Sequence, residues 1–116
     1  MAYPVPVSVT ESFSNVDATS HLVTLPSANA GDLLVMFFSS DGAPTITDVW
    51  TQLYKTAQGT VVSGAAYAKI SDGNEAANVD VVTNTAESFA AQVYRYAVGN
   101  WYGASVAAGI SVGTPV

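Results

Sequence analysis

The chain holds a single histidine, His21, the side chain best suited to proton transfer near neutral pH. A catalytic triad would place an orienting carboxylate and a nucleophile around this ring. His21 falls instead in an alternating stretch beside Ser20, which is the pattern of a half-buried strand. We therefore interpret His21 as a solvated strand residue and expect it to have no catalytic role.

Six acidic side chains fall in or beside predicted turns, where carboxylates ordinarily cap the backbone: Asp41, Asp48, Asp72, Glu75, Asp80 and Glu87. A glycosidase would need two of them facing each other across a cleft, one with a raised pKa. Turn capping explains their positions more simply, so we expect no enzyme activity. Residues 72–75 gather oxygen ligands, but they lack the spacing of an EF-hand loop, so an Asp-Gly turn is favoured over a calcium site and no cofactor is expected.

Four aromatic side chains could form a flat platform for stacking on a sugar: Trp50, Tyr54, Trp101 and Tyr102. Aromatic residues are also common in the cores of β proteins and in protein interfaces, so this pattern does not single out carbohydrate binding. Carbohydrate binding is kept as the alternative function.

Composition restricts the possible partners of this chain. Among its 116 residues, 49% are hydrophobic and only 10% are charged, whereas an average soluble domain has about 25% charged residues. The net charge is −6 with three basic side chains in all, so we expect no binding to nucleic acid. There is no cysteine, and the longest apolar run, residues 33–38, is too short to span a bilayer. No signal peptide is recognisable, and we expect synthesis in the cytoplasm and no membrane partner.

The pattern of apolar residues and turns predicts an all-β chain of about eight short antiparallel strands in one β-sandwich or jelly-roll domain over residues 1–116. The run 33–38 is apolar on both faces, which predicts a central strand. Pro4 and Pro6 cannot donate ladder hydrogen bonds, so the first strand is predicted to begin at a sheet edge or as a free arm. The small residues 63–66 suggest a bulge or the close approach of another layer. The predicted strands are 5–10, 21–25, 33–38, 45–47, 50–56, 60–70, 78–83 and 89–98.

Several motifs resemble a pattern found in structural proteins of tailed bacteriophages. A Leu-Pro at 25–26 is followed by Gly-Asp-Leu-Leu at 31–34 and by Ser-Asp-Gly at 40–42. Trp-Thr-Gln-Leu at 50–53 is similar to the family's Gly-Trp-Thr-x-Leu, except that Val49 replaces the glycine. Further matches are Tyr-Ala-Lys-Ile at 67–70, Asp-Gly-Asn-Glu at 72–75 and Val-Tyr-Arg at 93–95, so that the resemblance covers about residues 20 to 102.

This resemblance implies a β-sandwich of the kind found in capsid decoration, head-fibre and tail-associated proteins, with no catalytic residue or cofactor. The small size and neutral ends favour a capsid decoration (cement) protein. It would oligomerise, as a homotrimer, on the capsid surface of the virion and bridge subunits of the major capsid protein. The alternative is a carbohydrate-binding β-sandwich on a phage head fibre or tail.

The two ends of the chain, residues 1–6 and 104–116, carry no charged side chain and are predicted to be extended arms that dock on a partner. Pro4 and Pro6 favour an extended backbone at the first end. The predicted interface residues are Tyr3, Pro4, Val5, Pro6, Trp101, Tyr102, Ile110, Val112 and Val116.

Overall fold

A computed structural model describes residues 5–46, 50–58 and 62–98, and within these ranges the chain is all-β. Its six strands are β1 (Ser8–Thr24), β2 (Leu33–Ser40), β3 (Pro44–Ile46), β4 (Thr51–Gln58), β5 (Val62–Ile70) and β6 (Asn78–Tyr96). The described residues form no helix, and hence no helix that could cross a membrane. The prediction of an antiparallel all-β protein is confirmed, whereas the narrower assignment to a sandwich or jelly roll stays a prediction.

All strands belong to one antiparallel sheet, in which the path runs β1-β6-β2-β5-β4 and β3 pairs with β6 beside that path. The apolar run 33–38 lies within β2, which pairs with β6 on one side and β5 on the other. The predicted central strand is therefore confirmed. β1 lies at an edge of the path, as the prolines before it predicted.

Two strands are much longer than expected, at 17 residues for β1 and 19 for β6. Each joins two of the predicted strands, so the described residues form six strands instead of about eight. The break predicted between the strands 78–83 and 89–98, where a turn was expected at 85–88, is wrong, because these residues continue β6. Local turn propensity is overridden by pairing between the two strands, and the irregularity is absorbed as register shifts around Ala18.

The register shifts divide the sheet into two halves. The large half-sheet consists of β2, β4, β5 and the segments 8–14 of β1 and 89–96 of β6. The small half-sheet consists of β3 with segments 20–24 of β1 and 78–83 of β6. Side chains of both halves form one core cluster. His21 of the small half lies 4.8 Å from Phe89 and 5.8 Å from Phe38 of the large half, measured between ring centroids, so the halves face each other.

The bend brings the two parts of β1 against each other. The Thr10 hydroxyl donates to the carbonyl of Thr24 at 2.7 Å, and the Thr24 amide donates to the Ser12 hydroxyl at 2.9 Å. These side chains satisfy backbone groups of β1 that no neighbouring strand pairs, which protects an edge of the small half-sheet.

Candidate functional site

The solvent-facing side of the large half-sheet carries several exposed apolar side chains, and we call it the outer face. Residues alternate across a strand, so the partners of Phe37, which are Gln92 on β6 and Ala66 on β5, share its face. Following the register across all five strands gives the outer face as Val9, Glu11, Phe13, Leu33, Val35, Phe37, Ser39, Thr51, Tyr54, Thr56, Gly64, Ala66, Ala68, Ile70, Ala90, Gln92, Tyr94 and Tyr96.

Large apolar side chains stand into solvent on this face. Phe13 is 80% exposed, and Val9, Phe37 and Tyr54 are also exposed. Phe37 packs edge-to-face against Tyr94, with ring centroids 5.8 Å apart, which holds the Phe37 ring upright on the sheet. A contiguous exposed apolar surface of this kind typically marks an interaction site.

Glu11 is the only charged residue of the outer face. Gln92 Nε2 donates to Glu11 Oε1 at 3.2 Å, and the Tyr94 hydroxyl donates to Gln92 Oε1 at 2.9 Å, so the polar groups of the face are linked to one another. The three basic side chains of the sequence bind elsewhere: Lys55 donates to a backbone carbonyl, Lys69 pairs with Glu75, and Arg95 pairs with Asp32. The outer face is therefore nearly uncharged.

A groove of about 690 Å³ crosses the outer face, and small residues form its floor. Gly64, Ala66 and Ala90 lie between the larger side chains of Phe13, Phe37 and Tyr54. A Cβ atom added to Gly64 would meet no atom of the described part of the chain within 4 Å. The small residues at 63–66 were predicted to admit a bulge or a second layer. β5 is regular against β2, the bulge of this region lies in β4 between Gln52 and Tyr54, and no layer of the described chain covers Gly64.

Sequence reasoning missed the outer face as a surface. The signal was the alternation of Gly64, Ala66 and Ala68 along β5, opposite Ser39, Phe37 and Val35 of β2. It predicts a strand face with almost no side-chain volume.

His21 is buried, so its interpretation as a solvated residue is wrong. Only 2% of its surface is exposed, and its Nε2 lies 2.9 Å from the hydroxyl oxygen of Thr83. Burial lowers the pKa of His21 below its usual 6.5, and the negative charge of Asp80 opposes that effect only in part. The neutral ring packs against both Phe38 and Phe89, which stack on each other, as part of the core.

The pentapeptide 109–113 has the Gly-x-Ser-x-Gly spacing of a hydrolase nucleophile turn. These residues lie outside the described ranges. A serine there would need a histidine base within hydrogen-bond reach. The one histidine of the sequence is enclosed in the core beside Thr83.

The acidic loop at 72–75 is held by its own hydrogen bonds. Asp72 Oδ1 accepts from the Asn74 amide at 2.9 Å, which is a tight Asx turn. Glu75 accepts from Lys69 Nζ at 2.9 Å and from the Ser71 hydroxyl at 3.1 Å. The two carboxylates are thus bonded to different partners. Across the described ranges no three His, Asp or Glu side chains lie close enough together to hold a metal ion.

The aromatic platform predicted for sugar stacking is not assembled as expected. Trp50 is buried in the core, whereas Tyr54 stands on the outer face, so the two rings lie on opposite sides of the sheet. Trp101 and Tyr102 lie outside the described residues.

Seven of the nine predicted interface residues lie outside the described residues: Tyr3, Pro4, Trp101, Tyr102, Ile110, Val112 and Val116. Val5 is 67% exposed, and Pro6 is half-buried just before β1. The structure does not bring these two residues together with the outer-face groove.

The last described residues are anchored by Asp32, which comes from the Gly-Asp-Leu-Leu motif. Its carboxylate accepts from the amides of Asn29 and Val98 at 2.9 Å each and from Arg95 Nε at 2.8 Å. Burial alone would raise the pKa of Asp32, but the two amides and Arg95 outweigh it and hold the pKa below its usual 3.8. Gly31 has φ +91°, and a Cβ there would come within 3.0 Å of Val98, so both residues of the motif fix where β6 ends.

Comparisons with protein-family models, with curated proteins and with solved structures find no match to this chain. The resemblance to phage structural proteins therefore stays a prediction.

Proposed function

We propose that this chain is a structural protein that acts by assembly, as a decoration protein on the capsid surface of a tailed bacteriophage. The observation that carries the proposal is the outer face, a five-stranded surface with one charged residue and four exposed large apolar side chains. Water disfavours such a surface, and contact with another protein removes the cost.

The polar groups of the chain support the same conclusion, because they serve the fold. Three titratable side chains stand out by their sequence position or their burial, and each is hydrogen-bonded within the domain. His21 is bonded to Thr83, Asp32 to the Asn29 amide, and Glu75 to Lys69. Their contacts fix strands and loops, and none of the three faces the groove on the outer face.

In this proposal the uncharged ends, residues 1–6 and 104–116, attach the domain to the major capsid protein. Many copies on one lattice make weak single contacts effectively permanent. The net charge of −6 would lie on surfaces away from the contacts and keep particles apart.

The test is the copy number of the protein on purified particles, measured by quantitative mass spectrometry, together with sedimentation of the purified chain with capsids that lack it. We expect copy numbers on the scale of the capsid lattice and co-sedimentation of the added protein. Only a few copies per particle, as expected of a tail protein, or no binding to bare capsids, would contradict a decoration function.

Carbohydrate binding is the second candidate, and the aromatic rings of Phe37 and Tyr54 on an open groove favour it. Sugars also require several hydrogen-bonding groups that are free to turn to the ligand. Here Glu11, Gln92 and Tyr94 are bonded to one another, so this candidate ranks below assembly.

A further inference from the structure

The small residues of the outer face have no explanation within the described chain. Gly64 is costly in a strand interior, because glycine loses much conformational entropy there and adds no packing. Its φ is not in the left-handed region, and no atom of the described residues lies within 4 Å of the place a Cβ would occupy. A glycine that neither backbone nor neighbours require points to a body outside the described chain that approaches the sheet at this position.

We infer that this body is a second copy of the chain, packed face to face on the outer face in a two-fold pair. The inference deepens the proposed function and rests on it for its setting, since it names the first partner of the assembling protein. It gives a pair as the basic unit, in place of the trimer predicted from the sequence.

The size of the outer face fits a stable pair. Five strands spaced about 4.8 Å apart, with some seven residues each rising about 3.4 Å, span about 24 Å by 24 Å, on the order of 600 Å² in projection. The relief of the side chains adds to that area. Two such faces together supply about 1,200 Å², which is the lower end of the roughly 1,200–2,000 Å² that stable interfaces bury in total.

The outer face is also complementary to itself. Register places Phe13, Ala90, Ser39, Gly64 and Thr56 in one row across the sheet, with a protruding ring at one edge and a hollow near the other. A two-fold axis running along β2 sets β1 of one copy over β4 of the other, in the same row. Phe13 of each copy then lies over Thr56 of the second copy, at the rim of the hollow above the neighbouring Gly64, where side chains of packed sheets can interdigitate.

The same axis keeps the two Glu11 carboxylates of a pair apart. Glu11 lies on the edge strand β1, so the two carboxylates of a pair stand at opposite rims instead of facing each other. The row of Glu11 also contains Gln92, Phe37, Ala66 and Tyr54, which brings the Tyr54 hydroxyl of the second copy beside each Glu11. A tyrosine hydroxyl can donate to a carboxylate at such a rim.

Sedimentation velocity of the full chain over a range of concentrations tests the inference. The variants are Phe13→Ser, which removes a ring that is 80% exposed, and Gly64→Val, which fills the hollow with a residue favoured in strands. Leu22→Ser is the matched control, because Leu22 is 60% exposed on β1 but belongs to the small half-sheet. Urea denaturation at a concentration that gives monomers checks that each variant folds.

We expect dimers for the unchanged chain and for Leu22→Ser, and at least a tenfold weaker dimer for Phe13→Ser and for Gly64→Val with folding retained. A monomeric unchanged chain at about 100 µM, or oligomers unaffected by both outer-face variants, would overturn the inference. These outcomes are independent of capsid binding, so dimers that ignore capsids would refute only the decoration function, and capsid binding by a monomer would refute only the pair.

Discussion

Arg95 Nε donates to Asp32 Oδ2 at 2.8 Å, and this contact ties the last described strand to the loop that precedes the central strand. Arg95 also donates from a terminal guanidinium nitrogen to the Ser27 carbonyl at 3.0 Å, so one side chain holds both ends of that loop. The Asp32 side chain is almost fully buried, with 2% of its surface exposed, whereas Arg95 is partly buried.

Asp32→Asn should lower the free energy of unfolding by about 2–3 kcal/mol, because it leaves the Arg95 guanidinium partly buried without its counter-charge. Urea denaturation at neutral pH measures the loss. Asp72→Asn is the control, since Asp72 is exposed and only caps a turn, and we expect it to stay within about 0.5 kcal/mol of the unchanged chain. Equal effects of the two substitutions would show that the Asp32 contacts add no stability.

Acid should destabilise the fold in two stages. The folded-state pKa of His21 lies below 6.5, so the unfolded chain binds more protons as the pH falls through this range. Stability from His21 is complete above about pH 6.5 and is lost at up to about 1.4 kcal/mol per pH unit as the pH falls toward the folded pKa. The lowered pKa of Asp32 adds a second loss below its usual 3.8. Denaturation curves collected from pH 8 to pH 3 measure both stages.

The variant His21→Asn separates the two stages. It should flatten the dependence between pH 7 and pH 5 while it leaves the loss below pH 4. The slope is the readout, so a lower overall stability of this variant does not affect the comparison. An unchanged slope between pH 7 and pH 5 would mean that His21 is not the group that titrates there.

The uncharged ends should attach the domain to its particle. Removal of residues 2–6, or of residues 108–116, should leave the sheet folded and weaken co-sedimentation with bare capsids. Asp72→Ala should bind as the unchanged chain does. Glu75→Ala is a poor control, because Glu75 is buried against Lys69 and Ser71 and its loss should also destabilise the fold. Full binding by both truncations, with loss of binding by Asp72→Ala, would place the docking surface on the turns.

A glycan array should give no selective binding. The outer face offers aromatic rings but few free hydrogen-bonding groups, since Gln92 is bonded to Glu11 and Tyr94. Reproducible hits that are lost on Tyr54→Ala, with folding retained, would place carbohydrate binding ahead of assembly.

The sequence by itself determined the class of fold and several local elements. An apolar run bounded by turn residues predicts the central strand at 33–38, because a strand covered on both faces needs no polar side chain. Prolines predict the edge position of β1, because they cannot donate to a neighbouring strand. The Asp-Gly pair at 72–73 predicts a turn, and Gly73 has φ +87° there.

Only the tertiary structure decided which side of each strand is covered. Alternation has a period of two residues, and it does not say whether the odd or the even positions face the core. The bend in β1 and β6 packs the small half-sheet against the large one, which buries His21 and Val23 and leaves Leu22 in solvent. The same packing buries Trp50 in the core and leaves Tyr54 on the outer face. It also leaves Gly64 on a face that the described chain does not cover. The burial of each of these residues depends on contacts between strands that are far apart in the sequence, so the local pattern does not determine it.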